Sequence, residues 1–483
     1  MKESKTPGRP SFFMAVLPII AMAVFLGVGY VWLELPSEPM IICAAITAGL
    51  IAWAHGYTWD DMVGSISQKM RKTWPALLIL LCVGVLIGAW MSSGTIPFLI
   101  YWGLKLISPQ FLALTALIVT SIVALCTGTS WGSAGTIGVV LMGVAIAMDA
   151  NLAMVAGAVV SGAYFGDKMS PLSDTTNVAA MATRVPLYEH IANLLWTTGP
   201  AYVLSIVVFA GAGLTGQASG SASVDQAAAM TSTLASAFSL NPIVLLPVVI
   251  VLAGSALRKP TVPVLLLASG VGVFIAVFLQ GVSAQLAFTA LVSGFDVDMV
   301  TRSGFDAEAI SDDVGTLLNR GGIDSMMGTL AICFCAIAFA GVMDVTDSLG
   351  VVLHAVLDRV KSVFGLVAST AATCLVFIGV TCNGQISVIM PGEALRPAYL
   401  ERGVHPKVLG RTAEDAATVF EPILPWTAAG AYMAGTLGVA TFEYLPWAVL
   451  NWSGVIVALL LAATGVGITK ISPQQAEKMA ASQ

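Results

Sequence analysis

Charge is what this chain has least of. Only 10% of its 483 residues are Asp, Glu, Lys or Arg, whereas a soluble domain carries about 25%. Mean hydropathy is correspondingly high, at +0.89. The net charge of −6 is modest and no run of Lys and Arg occurs, so no nucleic-acid partner is expected. This composition excludes a soluble globular protein and predicts a membrane protein.

Long polar segments, paired cysteines and nucleotide-binding motifs are missing too. The longest polar connections, residues 215–240 and 293–322, leave no room for a sizeable soluble domain. The seven cysteines lie in apolar segments without metal-ligand spacing, so we expect them to pack as ordinary apolar residues. No phosphate-binding GxxxxGKS or GxxxxGKT motif occurs. We therefore expect neither a cofactor nor enzymatic activity.

Apolar runs of some 17 to 25 residues recur along nearly the whole chain. Each is long enough to cross the hydrocarbon core as a helix, and helices are required because lipid offers backbone N–H and C=O groups no partners. The predicted fold class is an all-α polytopic membrane protein. The fourteen predicted segments are residues 12–33, 39–55, 74–92, 110–127, 133–148, 152–182, 190–214, 241–257, 260–282, 325–342, 363–380, 384–400, 412–437 and 443–467.

The distribution of Lys and Arg between these segments predicts the orientation in the membrane. Connections rich in Lys and Arg stay in the cytoplasm, and with fourteen segments both termini then fall inside. The bases predicted to be cytoplasmic are Lys2, Lys5, Arg9, Lys69, Arg71, Lys72, Arg258, Lys259, Arg396, Arg402, Lys407, Arg411, Lys470 and Lys478. The acids predicted to lie outside are Glu34, Glu38, Asp296, Asp298, Asp306, Glu308, Asp312 and Asp313.

The two halves of the chain carry the same order of elements. Residues 81–107 resemble residues 334–360, an apolar helix followed by a short amphipathic element. In each half there follow an apolar segment with a small polar cluster and then a helix interrupted at a proline, Pro171 or Pro422. The predicted halves are residues 1–240 with repeat core 74–214, and residues 241–483 with repeat core 325–467.

An odd number of segments in each half requires the two repeats to have inverted topology. Inverted repeats with paired helix breaks are typical of secondary transporters, and the transport site lies where the broken helices meet. The sequence therefore predicts a carrier with its site at the two breaks. A channel is the alternative at this point, and a pore more often gains its symmetry from several subunits.

The stretch GDKMSPLSDTTN, residues 166–177, is unusually polar for its surroundings. Pro171 removes a backbone N–H and disfavours helix in the residue before it, which frees carbonyl groups of the preceding turn. Together with side-chain oxygens these carbonyls could coordinate Na⁺, and charges inside a membrane mark functional sites by default. Capping of a new helix is the structural alternative. The candidate ligands are Asp167, Ser170, Asp174, Thr175, Thr176 and Asn177, with Lys168 as an internal counter-charge.

Two further polar clusters interrupt residues 110–148 and residues 363–400. Each lies between two apolar arms, so each stretch is either two crossings or one re-entrant hairpin. Small-residue helix packing explains the hydroxyl groups as well as a ligand role does. The candidate ligands are Thr127, Thr129 and Ser130 in the first half, and Asn383 and Gln385 in the second.

The helix before Pro422 supplies a second set of carboxylates. Glu414 and Asp415 lie near the basic cytoplasmic connection, where a solvated helix cap explains them equally well. Glu421 is deeper and is predicted to be buried; matching the two prolines places it opposite Ser170. At buried carboxylates a proton and Na⁺ compete for one site, so a carrier that changes sides only when occupied would exchange the two. The four histidines form no cluster and receive no role.

The stretch SGAYFGDKMSPLSDTTNVAA, residues 161–180, closely resembles the signature region of the NhaC family of Na⁺/H⁺ antiporters. The family's length and repeat layout fit essentially the whole chain. The resemblance implies a Na⁺/H⁺ exchanger of the bacterial inner membrane, built from two inverted repeats with broken helices and re-entrant hairpins, and a homodimer by analogy. We expect the transported Na⁺ to be held by Asp174, Asn177 and Asn383.

Relatives of this kind also carry organic solutes such as malate, lactate or amino acids. A Na⁺-coupled symporter or exchanger of a small organic solute therefore stays open beside the cation antiporter. The middle of every predicted span lacks Arg, which favours cations over organic anions. Membrane lipid, Na⁺ and H⁺ are the expected partners, and Asp174→Asn is predicted to abolish coupled transport.

Overall fold

The described part of the chain is helical. The computed structural model describes residues 8–216, 224–302, 305, 315, 318–357 and 362–481. Within them no β-strand occurs, and extended pairing is limited to two isolated bridges, Phe295 with Arg320 and Val404 with Lys470. Nine helices in this part are long and apolar enough to cross a membrane, or up to eleven when two bent pairs each count as one span. The predicted all-α polytopic membrane fold is confirmed.

The helices are numbered in chain order. A π-helical stretch, Phe25–Trp32, continues α1, and another, Ala134–Gly138, joins α6 to α7. The bounds are α1 Phe12–Val24, α2 Ser37–Ala54, α3 Trp59–Ser92, α4 Thr95–Leu106, α5 Leu112–Thr127, α6 Ser130–Ser133, α7 Val139–Ala147, α8 Leu152–Met169, α9 Asp174–Thr183, α10 Leu187–Leu214, α11 Val224–Ala237, α12 Leu246–Ala256, α13 Thr261–Phe278, α14 Ala284–Ser293, α15 Met327–Val345, α16 Ser348–Leu357, α17 Val363–Thr381, α18 Gly384–Glu401, α19 Pro406–Ala416, α20 Ala428–Leu437, α21 Thr441–Tyr444, α22 Val449–Thr464 and α23 Pro473–Ala481.

All fourteen predicted segments overlap helices, but two boundaries differ in an informative way. The segment predicted from residue 74 begins at Trp59, because Thr58 and Asp61 form a capping box that starts the helix earlier. The connection 215–240, predicted as a polar linker, contains α11, and its residues 229–237 are bent by 92° from the helical stretch that begins at Pro242. Of the predicted loop charges, Lys2, Lys5, Asp306, Glu308, Asp312 and Asp313 lie outside the described residues.

Small residues bring the first broken helix into the centre of the protein. A Cβ at Gly162 would collide with the carbonyl oxygen of Leu117, and a Cβ at Gly166 with that of Ser121. The backbones of α8 and α5 are therefore in direct contact, as small residues allow in membrane helix pairs. This contact fixes the C-terminal end of α8, including the polar residues that follow Gly166, beside the turn at the end of α5.

The two halves repeat the same local structures at matched intervals along the chain. Each turn between the paired arms has a residue in the left-handed region, Gly128 with φ of 68° and Cys382 with φ of 53°. The next residue caps a helix: the Thr129 hydroxyl accepts from Gly132 N, and the Asn383 side chain accepts from Ile386 N. A hydroxyl pair spans each turn, Thr127 with Ser133 at 3.2 Å and Thr381 with Ser387 at 2.8 Å. The two turns therefore share the same local geometry, and the inverted repeat itself stays a prediction.

Candidate functional site

The first helix break comprises residues 170–173, between α8 and α9. Ser170 and Ser173 have extended backbones, and the Ser173 hydroxyl accepts from Thr176 N at 3.3 Å to cap α9. Asn177 Nδ2 donates to the carbonyl oxygens of Ser173 (2.5 Å) and Pro171 (3.2 Å), so it satisfies the Pro171 carbonyl within the break. Helix capping is therefore present at the first break, and the ligand role stays a prediction.

The second helix break comprises residues 417–427, between α19 and α20. A short 3-10 turn, Glu421–Ile423, lies within it, and Thr427 caps α20 by accepting from Gly430 N at 3.0 Å. The Thr427 hydroxyl also donates to the Glu421 carbonyl oxygen at 2.8 Å. Measured from these capping residues, Glu421 occupies the position that Asp167 holds in the first half. Aligning the two prolines instead would place Glu421 opposite Ser170, but that alignment does not bring the two capping residues to the same position.

Both breaks and both polar turns face one central cavity of about 490 Å³. Residues from α3, α8 and α12 complete its wall. The predicted site residues that line this central cavity are Thr127, Thr129, Ser130, Asp167, Asp174, Thr175, Asn177, Asn383, Gln385 and Glu421. Four polar clusters that are far apart in the sequence thus meet at one place.

Asp167 is a buried carboxylate in the wall of the central cavity. Its side chain is 4% exposed, and its Oδ2 accepts a hydrogen bond from Ser130 Oγ at 2.8 Å. Its other oxygen, Oδ1, has no hydrogen-bond partner. No ion pair to it occurs within the described residues. An unpaired buried carboxylate is costly, so this oxygen is available to a cation or a proton.

Glu421 is the corresponding carboxylate of the second half. It is 8% exposed, and its Oε1 lies 3.4 Å from the Ala429 backbone N–H, which donates to it. Its Oε2 lies so close to Gly384 that a Cβ there would be 2.5 Å away. In the described part of the chain no Lys, Arg or His pairs with it. The central cavity is therefore lined by two buried carboxylates, Asp167 and Glu421, that form no ion pair within the described residues.

Asp174 lies at the exposed rim of the same cavity rather than in its depth. Its Oδ2 accepts from Gln385 Nε2 at 2.8 Å, and its Oδ1 accepts from Thr175 N at 3.0 Å. The hydrogen bond to Gln385 joins the first break to the helix that follows the second-half turn. Asp174 therefore connects the two halves at the opening and remains accessible to solvent.

Comparison with known proteins gives the family. A model described as the Na⁺/H⁺ antiporter family matches residues 162–466. A protein of Haemophilus influenzae described as an uncharacterized Na⁺/H⁺ antiporter is 52% identical over 98% of this chain and 100% of its own length. The Na⁺/H⁺ antiporter NhaC of Alkalihalophilus pseudofirmus is 34% identical over 97% of this chain and 98% of its own. The chain belongs to the Na⁺/H⁺ antiporter family.

One further relative in this comparison has a different described activity. The malate-2H⁺/Na⁺-lactate antiporter of Bacillus subtilis is 32% identical over 95% of this chain and 97% of its own length. Membership of the Na⁺/H⁺ antiporter family confirms the resemblance seen at residues 161–180. It also agrees with the helical, polytopic architecture of the described residues.

Two of the twelve predicted site residues of this antiporter-family chain do not line the central cavity. The Ser170 hydroxyl donates to the Leu125 carbonyl oxygen at 2.9 Å, and the Thr176 hydroxyl donates to the Lys168 carbonyl oxygen at 3.2 Å. Both side chains are fully buried. They hold the first break in place against α5 and α8, so the structure gives them a positioning role.

A buried charge network behind the cavity was missed from the sequence. Lys168 pairs with Asp415, and His190 Nε2 lies 2.7 Å from Glu414 Oε1, with all four side chains at most 3% exposed. Arg411 is also fully buried and donates to the Gly467 carbonyl oxygen at 3.2 Å. Of the two alternatives for Glu414 and Asp415, the solvated cap is wrong, since both side chains are buried, and Lys168 pairs with Asp415 rather than with a cavity carboxylate. Glu414 and Asp415 are close in sequence to a basic connection, which made a solvated position plausible. In the structure α19 runs from that connection into the protein interior.

The residue directly before α19 is His405, a histidine near this charge network that lies outside the candidate membrane spans. His405 Nδ1 accepts from the Lys407 backbone N–H at 3.1 Å and thereby caps the helix. Burial lowers the pKa of His405 below its ordinary value. The imidazole is then neutral at pH 7, which an acceptor nitrogen requires. The role of His405 is therefore structural.

Several residues that line the central cavity were not predicted as site residues from the sequence. Trp131, Tyr164 and Thr418 line the central cavity beside the predicted ligands. Three bases, Lys72, Arg258 and Lys259, line it as well. Aromatic and hydroxyl residues on apolar helices usually indicate packing, and the bases were assigned to cytoplasmic connections. Only the folded chain shows that these connections border the central cavity.

Proposed function

We propose that this protein exchanges Na⁺ for H⁺ across the cell membrane and that Asp167 and Glu421 bind the exchanged ions. The observation that carries the proposal is the pair of buried carboxylates that face one cavity and form no ion pair among the described residues. In a low-dielectric site each carboxylate needs a proton or a metal cation. The two ions therefore compete for the same oxygens.

The remaining polar groups of the cavity supply the oxygens that a hard cation needs. Ser130 donates to Asp167 and positions its carboxylate for the ion. Asp174, Asn177 and Asn383 contribute further oxygens nearer the opening, and Thr127, Thr129, Thr175 and Gln385 complete the polar wall. No nucleotide takes part, because the Na⁺ and H⁺ gradients supply the free energy. The protein is then a secondary carrier and carries out no covalent chemistry.

The orientation follows from the bases at the central cavity. Lys72, Arg258 and Lys259 border it and belong to segments that the positive-inside rule assigns to the cytoplasm. The cavity then opens inward, and both termini lie in the cytoplasm of a bacterial cell with the chain in the inner membrane. The halves with repeat cores 74–214 and 325–467 are related by inverted topology in this proposal, and the protein is a homodimer by analogy with its superfamily.

Exchange or symport of a small organic anion is the second candidate. Two features of the cavity favour it: its volume of about 490 Å³ exceeds what a bare cation fills, and it contains three bases that could bind a carboxylate. A relative described as a malate-2H⁺/Na⁺-lactate antiporter supports the same alternative. In this version the carboxylates bind Na⁺ and H⁺, and Lys72, Arg258 or Lys259 binds the organic anion.

Purified protein in liposomes loaded with a pH-sensitive dye separates the two candidates. We expect external NaCl alone to drive proton movement, and KCl at the same concentration to serve as the ionic-strength control. Malate, lactate and an amino-acid mixture are then added with and without Na⁺. Proton flux with Na⁺ alone supports the exchanger. Flux that appears only when an organic solute is present refutes it and establishes the solute carrier.

A further inference from the structure

A second cavity, of about 500 Å³, lies at the far end of the helices that line the central cavity. The helix α3 contributes Ile79 to the central cavity and Ile87 to the second. Likewise α20 contributes Ala428 to the central cavity and Gly435 to the second. The second cavity is further lined by Val139, Ser293, Gly294, Phe295, Asp296, Met299, Asn319, Arg320, Gly321, Ser325, Met326, Thr436 and Gly438.

Only a thin layer of protein separates the two cavities. The two lining positions are eight residues apart on α3 and seven apart on α20, which corresponds to about 10–12 Å of helix at 1.5 Å per residue. The chain from Trp131 to Val139 connects the cavities over a similar interval. Because the layer is this thin, we treat it as a barrier within one continuous path and not as a domain between two unrelated pockets.

One aromatic pair fills the middle of this layer. The rings of Trp131 and Tyr432 stack with centroids 4.3 Å apart and planes 15° from parallel. The Tyr432 hydroxyl donates to the Trp131 carbonyl oxygen at 2.7 Å, which fixes the stack. The same hydroxyl lies against Gly135, where a Cβ would be 2.5 Å from it and 3.3 Å from Val83. Tyr432 is fully buried, whereas Trp131 is partly exposed to the central cavity.

We propose that the Trp131–Tyr432 stack is the gate between the central cavity and the second cavity, and that the second cavity is the opening of the transport path on the opposite face. Trp131 belongs to the N-terminal half and Tyr432 to the C-terminal half. A relative movement of the halves therefore separates the rings and joins the two cavities. The proposed exchange activity is needed only to say which ions pass.

The chain offers a matched control for this gate. Phe165 and Tyr202 also stack, with centroids 3.7 Å apart and planes 15° from parallel, and the Tyr202 hydroxyl donates to Ser121 Oγ at 3.0 Å. Neither residue lines the central or the second cavity. Tyr202 is partly buried, and removing its ring also deletes a stacked, hydrogen-bonded tyrosine but does not open a path between the cavities. Tyr202→Ala is therefore the control for Tyr432→Ala.

Accessibility of an introduced thiol tests the gate directly. In full-length protein with its seven native cysteines replaced, Ala76→Cys places a probe in the wall of the central cavity. A membrane-impermeant methanethiosulfonate is added to either face of oriented vesicles. We expect Tyr432→Ala to raise the labelling rate from the second-cavity face about tenfold or more, because a packed ring no longer excludes the reagent. Tyr202→Ala leaves that rate unchanged.

The same vesicles distinguish failure of the gate from failure of the exchange proposal. An unchanged rate in Tyr432→Ala protein that still labels normally from the central-cavity face overturns the gate. Tyr432→Phe keeps the ring and removes only the hydroxyl, so it provides a folded variant if the alanine variant does not insert; we expect a smaller increase, and no increase overturns the gate. Faster labelling of Tyr432→Ala protein, when the parent protein with Tyr432 intact shows no Na⁺-driven proton flux, retains the gate and refutes the exchange proposal.

Discussion

The two helix breaks place a carboxylate at the same position but surround it differently. In the first half Asp167 accepts from the Ser130 hydroxyl, and in the second Glu421 accepts from the Ala429 backbone N–H. Ser130 and Gly384 are the corresponding residues, since each directly follows the residue that caps its helix, Thr129 or Asn383. The shorter acid thus faces a hydroxyl, and the longer acid faces a glycine.

This difference is a matter of space as well as chemistry. A Cβ at Gly384 would lie 2.5 Å from Glu421 Oε2, so the longer side chain occupies the volume that the Ser130 side chain occupies in the first half. Side-chain lengths in the two halves therefore compensate for each other across the cavity. The outcome is one carboxylate held by a rotatable hydroxyl and one held by a fixed backbone donor, so two similar breaks give two carboxylates in different surroundings.

Neutralising either buried carboxylate gives the largest expected effect. We expect Asp167→Asn and Glu421→Gln each to lower Na⁺-driven proton flux roughly 100-fold or more, because losing a charged ligand costs about 3 kcal/mol. The measurement is initial proton flux in proteoliposomes at saturating Na⁺. If the two carboxylates act as one site, the double variant is no worse than either single variant.

The control for these variants replaces a buried amide side chain and leaves the cavity carboxylates intact. Asn451 is fully buried behind the second break, where its Nδ2 donates to the Val419 carbonyl oxygen at 2.8 Å. Asn451→Asp adds a carboxylate outside the cavity and is expected to impair folding rather than coupling. Retention of more than about a third of wild-type flux by Glu421→Gln would contradict the role assigned to that residue, since a lost charged ligand costs far more.

Gly384→Ser tests the compensation between side-chain lengths. The new side chain collides with the Glu421 carboxylate, and overpacking of a buried site costs about 1–3 kcal/mol, so we expect flux to fall about tenfold. Combining it with Glu421→Asp reproduces the first-half arrangement of a short acid and a serine, and we expect flux to recover to within about threefold of wild type. The readouts are flux and the thermal midpoint of unfolding in detergent.

Glu421→Asp alone is the matched control for that pair. Its shorter side chain leaves the carboxylate without contact to Gly384, so we expect an intermediate loss of flux. If the double variant is as impaired as the product of the two single variants, the two positions are independent and the proposed compensation is wrong.

The sequence predicts the helices and the residues of the cavity wall better than it predicts buried charge. Apolar length and helix-breaking prolines are local properties, so the fourteen segments and both breaks are found from pattern alone. The polar clusters at Thr129 and Asn383 stand out for the same reason. Pairs such as His190 with Glu414 depend on helices that meet only after folding, and His190 carries no signal of its own.

Whether a carboxylate is buried or exposed likewise depends on the tertiary structure. Asp167 and Asp174 lie seven positions apart in one polar stretch, yet the first is 4% exposed and the second is exposed. Asp167 belongs to the last turn of α8, which the Gly162 and Gly166 contacts hold against α5, whereas Asp174 begins a new helix at the rim. Motif membership therefore identified both residues but not which one is buried.

Asp174→Asn gives the smallest expected effect and tests that distinction. Because Asp167 and Glu421 are buried and Asp174 is exposed, we expect complete loss of flux from substitutions at Asp167 and Glu421 rather than at Asp174. An exposed carboxylate contributes only about 1 kcal/mol to ion binding. The asparagine keeps an oxygen that can accept from Gln385, so the contact between the halves survives. We expect the Na⁺ concentration for half-maximal flux to rise about fivefold with little change in maximal flux. Complete loss of flux in a protein that inserts and folds normally would instead make Asp174 the principal ion ligand and reduce Asp167 to a supporting role.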